Sequence, residues 1–200
     1  MLGRWLVRDK TPVLRCQELV LRAPAKSDFT QWHSVRLASR PFLKPFEPRW
    51  TEADLDRNIY LERIKRGAEA SAKGTEYTFF IFVTDGGTQR LAGGLTLSNI
   101  RRRVAQQVNL GYWMSVNDAG KGIMTRAVAT VLPFVFDDLG LHRVHAACLP
   151  TNMASRRVLE KNRFHEEGYA DNYLQIDGAW RDHVLYGLSR ERYETSHGSV

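Results

Sequence analysis

Residues 117–125 read Asn-Asp-Ala-Gly-Lys-Gly-Ile-Met-Thr, and the paired glycines are where residue type and spacing first suggest chemistry. A glycine lets backbone approach backbone, or a ligand, with no Cβ in the way. An apolar, aromatic strand (Val108 to Val116) precedes the stretch, and a helix-like run (Thr125 to Leu139) follows it. The first N–H groups of a helix lack internal acceptors, and the helix dipole draws anions to that end. Strand, Gly-x-Gly and helix in succession therefore describe a seat for a pyrophosphate, although the same spacing also serves a plain turn. The motif is not a P-loop, since no Gly-Lys-Ser/Thr is present, and no third glycine completes the dinucleotide pattern.

The elements around this turn must position it. Two hundred residues suit one domain burying roughly 70% of its unfolded surface. A hydrophobic share of 43% and a charged share of 26% are ordinary globular values and exclude a disordered chain. Lys and Arg number 29 against 22 Asp and Glu, a formal +7 that favours anionic partners, whether a polyphosphate ligand or nucleic acid. The densest basic run, Arg101-Arg102-Arg103, suits a solvated loop or an RNA contact.

Cys16 and Cys148 lie far apart without CxxC spacing, and the six histidines show no ligand spacing, so neither a disulfide framework nor a metal site is indicated. The basic start, Met1 to Lys10, lacks the apolar core of a signal peptide, and no apolar run approaches the ~20 residues of a membrane span. A cytoplasmic protein without membrane association is expected.

Glu18 to Arg22 reads as a strand, Ser27-Asp28 caps a helix to about Ser39, and three prolines make Arg40 to Pro48 a rigid loop. Thr51 and Asp54 resemble a capping box before a second helix ending near Gly67. Tyr77 to Thr84 and Leu91 to Asn99 form a hairpin through Asp85-Gly86-Gly87, and Val108 to Val116 is the fourth strand. After the glycine turn and long helix, Gly140 stops the helix and Arg143 to Leu149 is the fifth strand. Asn152 caps a helix to Asn162, and two strands joined through Asp177-Gly178 close the domain. This order implies one α+β domain around a mixed, mostly antiparallel sheet flanked by helices. Residues 1–17 read as an N-terminal extension, 18–190 as the domain and 191–200 as a C-terminal tail.

Several further segments carry a resemblance. They are Phe42-Leu43-Lys44-Pro45-Phe46-Glu47-Pro48, Glu167-Gly168-Tyr169-Ala170, Tyr173-Leu174, Ile176-Asp177-Gly178 and Trp180-Arg181-Asp182-His183-Val184-Leu185. Leu141-His142-Arg143 and Asn152-x-x-Ser155 fit as well. With the element order and glycine turn, the chain from about Leu19 to Leu188 resembles the GNAT superfamily of N-acetyltransferases, in particular its RimJ-like ribosomal-protein-alanine branch. The resemblance implies a splay between the fourth and fifth strands and acetyl-CoA as cosubstrate, with no metal.

It also implies a set of site residues. Backbone around Ala119, Gly120, Lys121, Gly122, Ile123, Met124 and Thr125 would grip the pyrophosphate, with Arg126 nearby. Ala119 replaces the Gln or Arg usual at the first position of the turn, removing one side-chain contact. Backbone of the fourth strand, including Trp113 and Met114, would hold the thioester carbonyl. Asn152 faces the pantetheine arm. Where many relatives carry a tyrosine acid stands Leu159, so Ser155 would protonate the departing thiolate; a serine in a first helical turn is also simply comfortable there.

An N-terminal α-amine has a pKa near 8, so roughly a tenth is neutral at pH 7, whereas a lysine near 10.4 is neutral about once in several thousand molecules. An α-amine acceptor therefore needs only a weak base or an ordered water. Glu47 is the first candidate for base or amine anchor, Asp182 the second, and Glu76 ranks lower. Phe42, Phe46, Tyr173 and Trp180 are expected to line the acceptor slot.

The function implied is transfer of an acetyl group to the N-terminal alanine of a small-subunit ribosomal protein, with possible ribosome or rRNA association. Two alternatives stay open: a small-molecule amine acceptor such as an antibiotic or polyamine, and an RNA-binding ribosome-assembly factor with a secondary or lost acetyltransferase site.

Overall fold

Period-two alternation assigns each strand a face. In Leu19–Arg22 and Tyr77–Asp85, residues Leu19, Leu21, Phe79 and Ile81 join one core cluster, while Val20, Phe80 and Phe82 join another. Both faces of these strands must therefore be covered. The computed structural model describes residues 11–197.

Eight strands form one sheet. They are β1 (Leu14–Cys16), β2 (Leu19–Arg22), β3 (Tyr77–Asp85), β4 (Thr88–Arg101), β5 (Gln107–Met114), β6 (Arg143–Cys148), β7 (His165–Ile176) and β8 (Ala179–Ser189). Their spatial order is β1-β2-β3-β4-β5-β6-β8-β7. Every neighbouring pair is antiparallel except β5 with β6. Helices α1 (Phe29–Leu43) and α2 (Arg57–Ala72) supply Trp32 and Tyr60 to the smaller core. Helices α3 (Ile123–Pro133), α4 (Met153–Lys161) and α5 (Arg190–His197) cover the larger one. Phe136, in a π-helical turn continuing α3, stacks on Tyr193 of α5 at 4.6 Å.

The parallel pair carries the functional consequence. Strands β5 and β6, the fourth and fifth of the sequence reading, pair only at Gln107–Arg143, Val108–Val144 and Asn109–His145. Beyond that point β5 stays with β4 as far as Met114, and β6 stays with β8 as far as Cys148. The two strands part, and the β5 edge over 110–114 faces the gap with no ladder from β6. An edge of this kind leaves backbone donors available inside the sheet, where the interior strands away from the gap are paired on both sides.

Several expectations change: α2 runs on to Ala72 rather than ending near Gly67, and the segment read as a C-terminal tail begins within α5, whose Tyr193 packs into the larger core. Helix α1 does not stop near Ser39 but runs through Pro41 to Leu43. The proline forfeits only the hydrogen bond to the carbonyl of Leu37, and Leu37 is solvent-exposed, so water can take its place. A single turn of 3-10 helix, Lys44–Phe46, follows. At the other end, Leu14–Cys16 lies inside the segment read as an extension, yet pairs with β2 as a true edge strand. The remaining residues of that extension before Thr11 lie outside the described residues.

Candidate active site

The turn after β5 is held from below. Asp118 is buried, accepts Arg90 Nη1 at 2.7 Å and stands 3.7 Å from Lys121 Nζ. Ser39 of α1 accepts the Val116 N–H at 3.0 Å. Gly120 and Gly122 have φ of +78° and +73°, where a side chain is strained. Crowding is not the reason for glycine here. A Cβ at Gly120 would meet nothing within 4 Å, and one at Gly122 only an Arg126 nitrogen at 3.8 Å.

The first helical hydrogen bond of α3 runs from Arg126 N–H to Gly122 O, so the amides just before it have no intrahelical acceptor. Ile123 and Met124 turn their side chains into the core, leaving backbone as what the turn offers outward. Such a helix N-terminus, with Lys121 beside it, has geometry that suits an anion. Asn162 Nδ2 braces it by donating to Thr125 O at 3.2 Å.

At the gap between β5 and β6, α4 brings Ser155 into place. Asn152 caps the helix, its Oδ1 accepting Ser155 N–H at 3.0 Å. The Ser155 Oγ lies 2.8 Å from the Tyr112 hydroxyl, which also donates to Ser155 O at 3.3 Å. Burial pushes the Tyr112 hydroxyl well above the usual phenol range, so it stays protonated. Burial likewise raises the Cys148 thiol beside Ser155. Leu159 is packed in the core.

On the opposite face, between the sheet and α1–α2, lies a cavity of about 1070 Å³. Its walls include Trp32, Trp50, Tyr60, Phe80 and Trp113, with Arg36, Glu47, Glu76, Thr78 and Thr96 among the polar groups. Gly94 admits the Trp113 ring, since a Cβ there would stand 2.4 Å from its Nε1. Gly111, one step along β5 on the same face, leaves open space where a Cβ would stand. Trp113 faces this cavity while Tyr112 packs toward the other core, so β5 presents one side chain to each side of the sheet.

Glu47 is already engaged. Its two oxygens accept Arg36 Nη1 and Nη2 at 2.8 and 2.7 Å, and Trp50 Nε1 donates to Oε2 at 2.8 Å. Glu76 lines the same cavity with only a 3.5 Å contact from the Thr78 hydroxyl and no ion pair among the described residues. Asp182 sits instead on the β7–β8 hairpin, accepting Asn172 N–H and the Tyr169 hydroxyl at 2.9 Å each. Those bonds, the backbone one first, hold its carboxyl below the ordinary range.

The four aromatics expected at the slot do not line this cavity. Phe42 lies in the last turn of α1 and Phe46 ends the following turn, both half-buried, while Tyr173 and Trp180 are exposed on the hairpin. Tyr112, Arg36 and Trp50 went unmarked in the sequence as side chains of interest. Alternation along β5 was the available signal for Tyr112. Among the described residues no cluster of three or more His, Cys, Asp or Glu could hold a metal ion, and no helix is long and apolar enough to cross a membrane.

Splayed strands, a glycine-capped helix and a cavity behind them are the geometry of one acyl-transfer fold, and comparison decides the matter. A family model of the acetyltransferase (GNAT) domain matches residues 18–165. The chain belongs to the GNAT family. It is 42% identical over 127 residues to the probable N-acetyltransferase YjcK of Bacillus subtilis, covering 64% of this chain and 69% of that one. It is 31% identical over 184 residues to the [ribosomal protein uS5]-alanine N-acetyltransferase of Escherichia coli, covering 91% and 94%.

Among solved structures, ribosomal-protein-S5-alanine acetyltransferase from Vibrio fischeri superposes with a TM-score of 0.83 at 28% identity, over 91% of this chain and 98% of that one. Mycobacterium smegmatis RimJ, solved with CoA-disulfide, gives 0.82 at 29% identity over 94% and 93%. This GNAT protein is therefore an N-acetyltransferase of α+β fold, similar to the RimJ-like enzymes.

Proposed function

We propose that this enzyme transfers the acetyl group of acetyl-CoA to the α-amine of a polypeptide with a small first residue, foremost the N-terminal alanine of a ribosomal protein. The carrying observation is the parting of β5 from β6, with the Ser155–Tyr112 pair on one face and the large cavity on the other. Similarity to relatives named as ribosomal-protein-alanine acetyltransferases supports the acceptor class.

Acetyl-CoA supplies an activated thioester and a pyrophosphate; this chain supplies the positions. Amides from Lys121 to Thr125 receive the pyrophosphate, with Ala119, Gly120 and Gly122 shaping the turn. Along β5 the backbone alternates, Trp113 facing β4 and Met114 facing the gap, so the Met114 N–H would meet the thioester carbonyl there, a contact worth about 3–4 kcal/mol when preorganised. The Tyr112 hydroxyl, 2.8 Å from Ser155 Oγ, positions the serine; with the tyrosine hydrogen in that bond, the serine's own hydrogen is free to aim at the departing sulfur. The amine enters through the cavity on the α1–α2 face and passes Gly111. Glu47, held by Arg36 and Trp50, anchors the amine, while Glu76 or an ordered water takes its proton. An α-amine, already partly neutral at pH 7, needs no stronger base.

Arg49 and Arg66 line the cavity without a carboxylate partner among the described residues, which disfavours polycationic acceptors such as polyamines. The direct test is to incubate the enzyme with acetyl-CoA and ribosomal proteins lacking N-terminal acetyl groups. One protein gaining a single acetyl group on its first residue is the expected mass-spectrometric result; acetylation of lysine side chains alone would overturn the proposal.

Two substitutions probe the parts separately. Tyr112→Phe keeps the ring but removes the donor to Ser155. It is expected to lower kcat roughly tenfold, the value of one buried hydrogen bond, with acetyl-CoA affinity kept. A loss confined to KM would contradict the positioning role. Gly122→Ala forces a Cβ onto φ +73°, costing about 1–2 kcal/mol of stability and distorting the amide cradle. Calorimetric titration with CoA should show clearly weaker binding; unchanged affinity would remove the cradle from the account.

A further inference from the structure

A second cavity of about 560 Å³ adjoins the first and is lined by Arg40, Lys44, Arg49, Trp50 and Asp177. Arg49 and Trp50 line both cavities, so a chain whose first residue occupies the larger one can leave past three cations. Their charge is not balanced. Asp177 stands 3.7 Å from Lys44, in a pair whose lysine is largely exposed and whose aspartate is 37% exposed, and such a long, solvated pair is weak. Neither Arg40 nor Arg49 has a carboxylate partner among the described residues.

Both guanidinium groups are held in place. Arg49 lies against the hairpin turn, where a Cβ on Gly178 would stand 2.5 Å from its Nη2, and it reaches Asp177 O at 3.5 Å. The turn is itself fixed by Asp177 N–H donating to Glu47 O at 2.9 Å. The Arg40 guanidinium sits 5.8 Å from the Trp50 ring centre. A guanidinium fixed in this way loses little freedom when it meets a carboxylate, and its planar fork matches that group.

We propose that this cleft is a subsite for an acidic side chain of the acceptor polypeptide, a few residues beyond the reactive amine. The inference rests on the polypeptide acceptor proposed above and names a second requirement on it. A phosphate of RNA would suit the same cations. The cleft, however, is continuous with the acceptor cavity, sharing Arg49 and Trp50 with it, and RNA would make no use of that continuity.

The test uses peptides beginning with alanine that differ only in carrying Glu, Gln or Lys at one position, moved step by step along the chain. At one register Glu should lower KM roughly tenfold against Gln, the effect of one charge-assisted hydrogen bond, while Lys raises it. Arg40→Glu should reverse the order of Glu and Lys at that register, and Lys44→Glu, at a more exposed position, should shift it the same way. Equal KM values for all three residues at every position would overturn the subsite alone. So would an Arg40→Glu variant that slows every peptide alike, or one that loses binding of an rRNA fragment with peptide discrimination unchanged. Failure to turn over any peptide would overturn both the acceptor class and the subsite.

Discussion

Ser155→Ala is expected to reduce kcat about a hundredfold, with acetyl-CoA affinity and thermal stability nearly unchanged. The fold should tolerate the change because the cap of α4 uses the Ser155 N–H on Asn152 Oδ1, which alanine retains. General acid catalysis contributes typically 10²–10⁴ in rate. The lower end applies because a thiolate, with a parent pKa near 8.5, leaves readily even when protonation lags. Tyr112 would keep a contact to the residue 155 carbonyl but lose the hydroxyl it orients. Single-turnover kinetics would check this: a full-speed chemical step in Ser155→Ala would mean the thiolate takes its proton from solvent.

Glu47→Ala is expected to cost about 2–3 kcal/mol of stability and to raise the acceptor KM. The Arg36 and Glu47 side chains are only 12% and 18% exposed, so removal of the carboxylate strands a guanidinium with little access to water. Breaking a fully buried pair costs about 3–5 kcal/mol, and partial exposure places this one below that range. Trp50 Nε1 loses its acceptor as well. For a domain of this size the loss is a fall in Tm of roughly 5–10 °C. Arg36→Met combined with Glu47→Ala should recover part of it, because the stranded charge is gone. A strictly additive double variant would show that the pair contributes little. Glu47→Gln separates the roles: it keeps the hydrogen-bonding shape and should retain stability better than alanine, while the acceptor KM still rises.

The glycine turn, the α4 cap and the strand order were legible because each is written in neighbouring residues. Gly120 and Gly122 mark positive φ, Asn152 stands three residues before the amide it caps, and the aromatic and branched run over 77–84 marks a strand. The splay came from resemblance rather than pattern, since nothing in 107–114 or 143–148 says that only three pairs will form. Pro41 misled because it stands in the last turn of α1, where the one forfeited carbonyl belongs to the exposed Leu37, and that exposure is a tertiary fact. The cavity between the sheet and α1–α2 was hidden for a similar reason. Its walls come from segments as distant as Trp32, Glu76 and Trp113, and no local spacing joins them. Phe42, Phe46, Tyr173 and Trp180 were chosen by matching motifs, which mark similarity of sequence without saying which way a ring points. Tyr112 was within reach: on a strand with Trp113 facing one side, the neighbouring tyrosine must face the other.

The most direct measurement is acetyl transfer from labelled acetyl-CoA to peptides beginning with Ala, Ser or Met, beside an acetyl-blocked peptide with an internal lysine. The account predicts turnover of the free small N-termini, alanine foremost, and none of the blocked peptide. Acetylation of the internal lysine at a comparable rate, or acetyl-CoA binding without turnover of any free N-terminus, would contradict it.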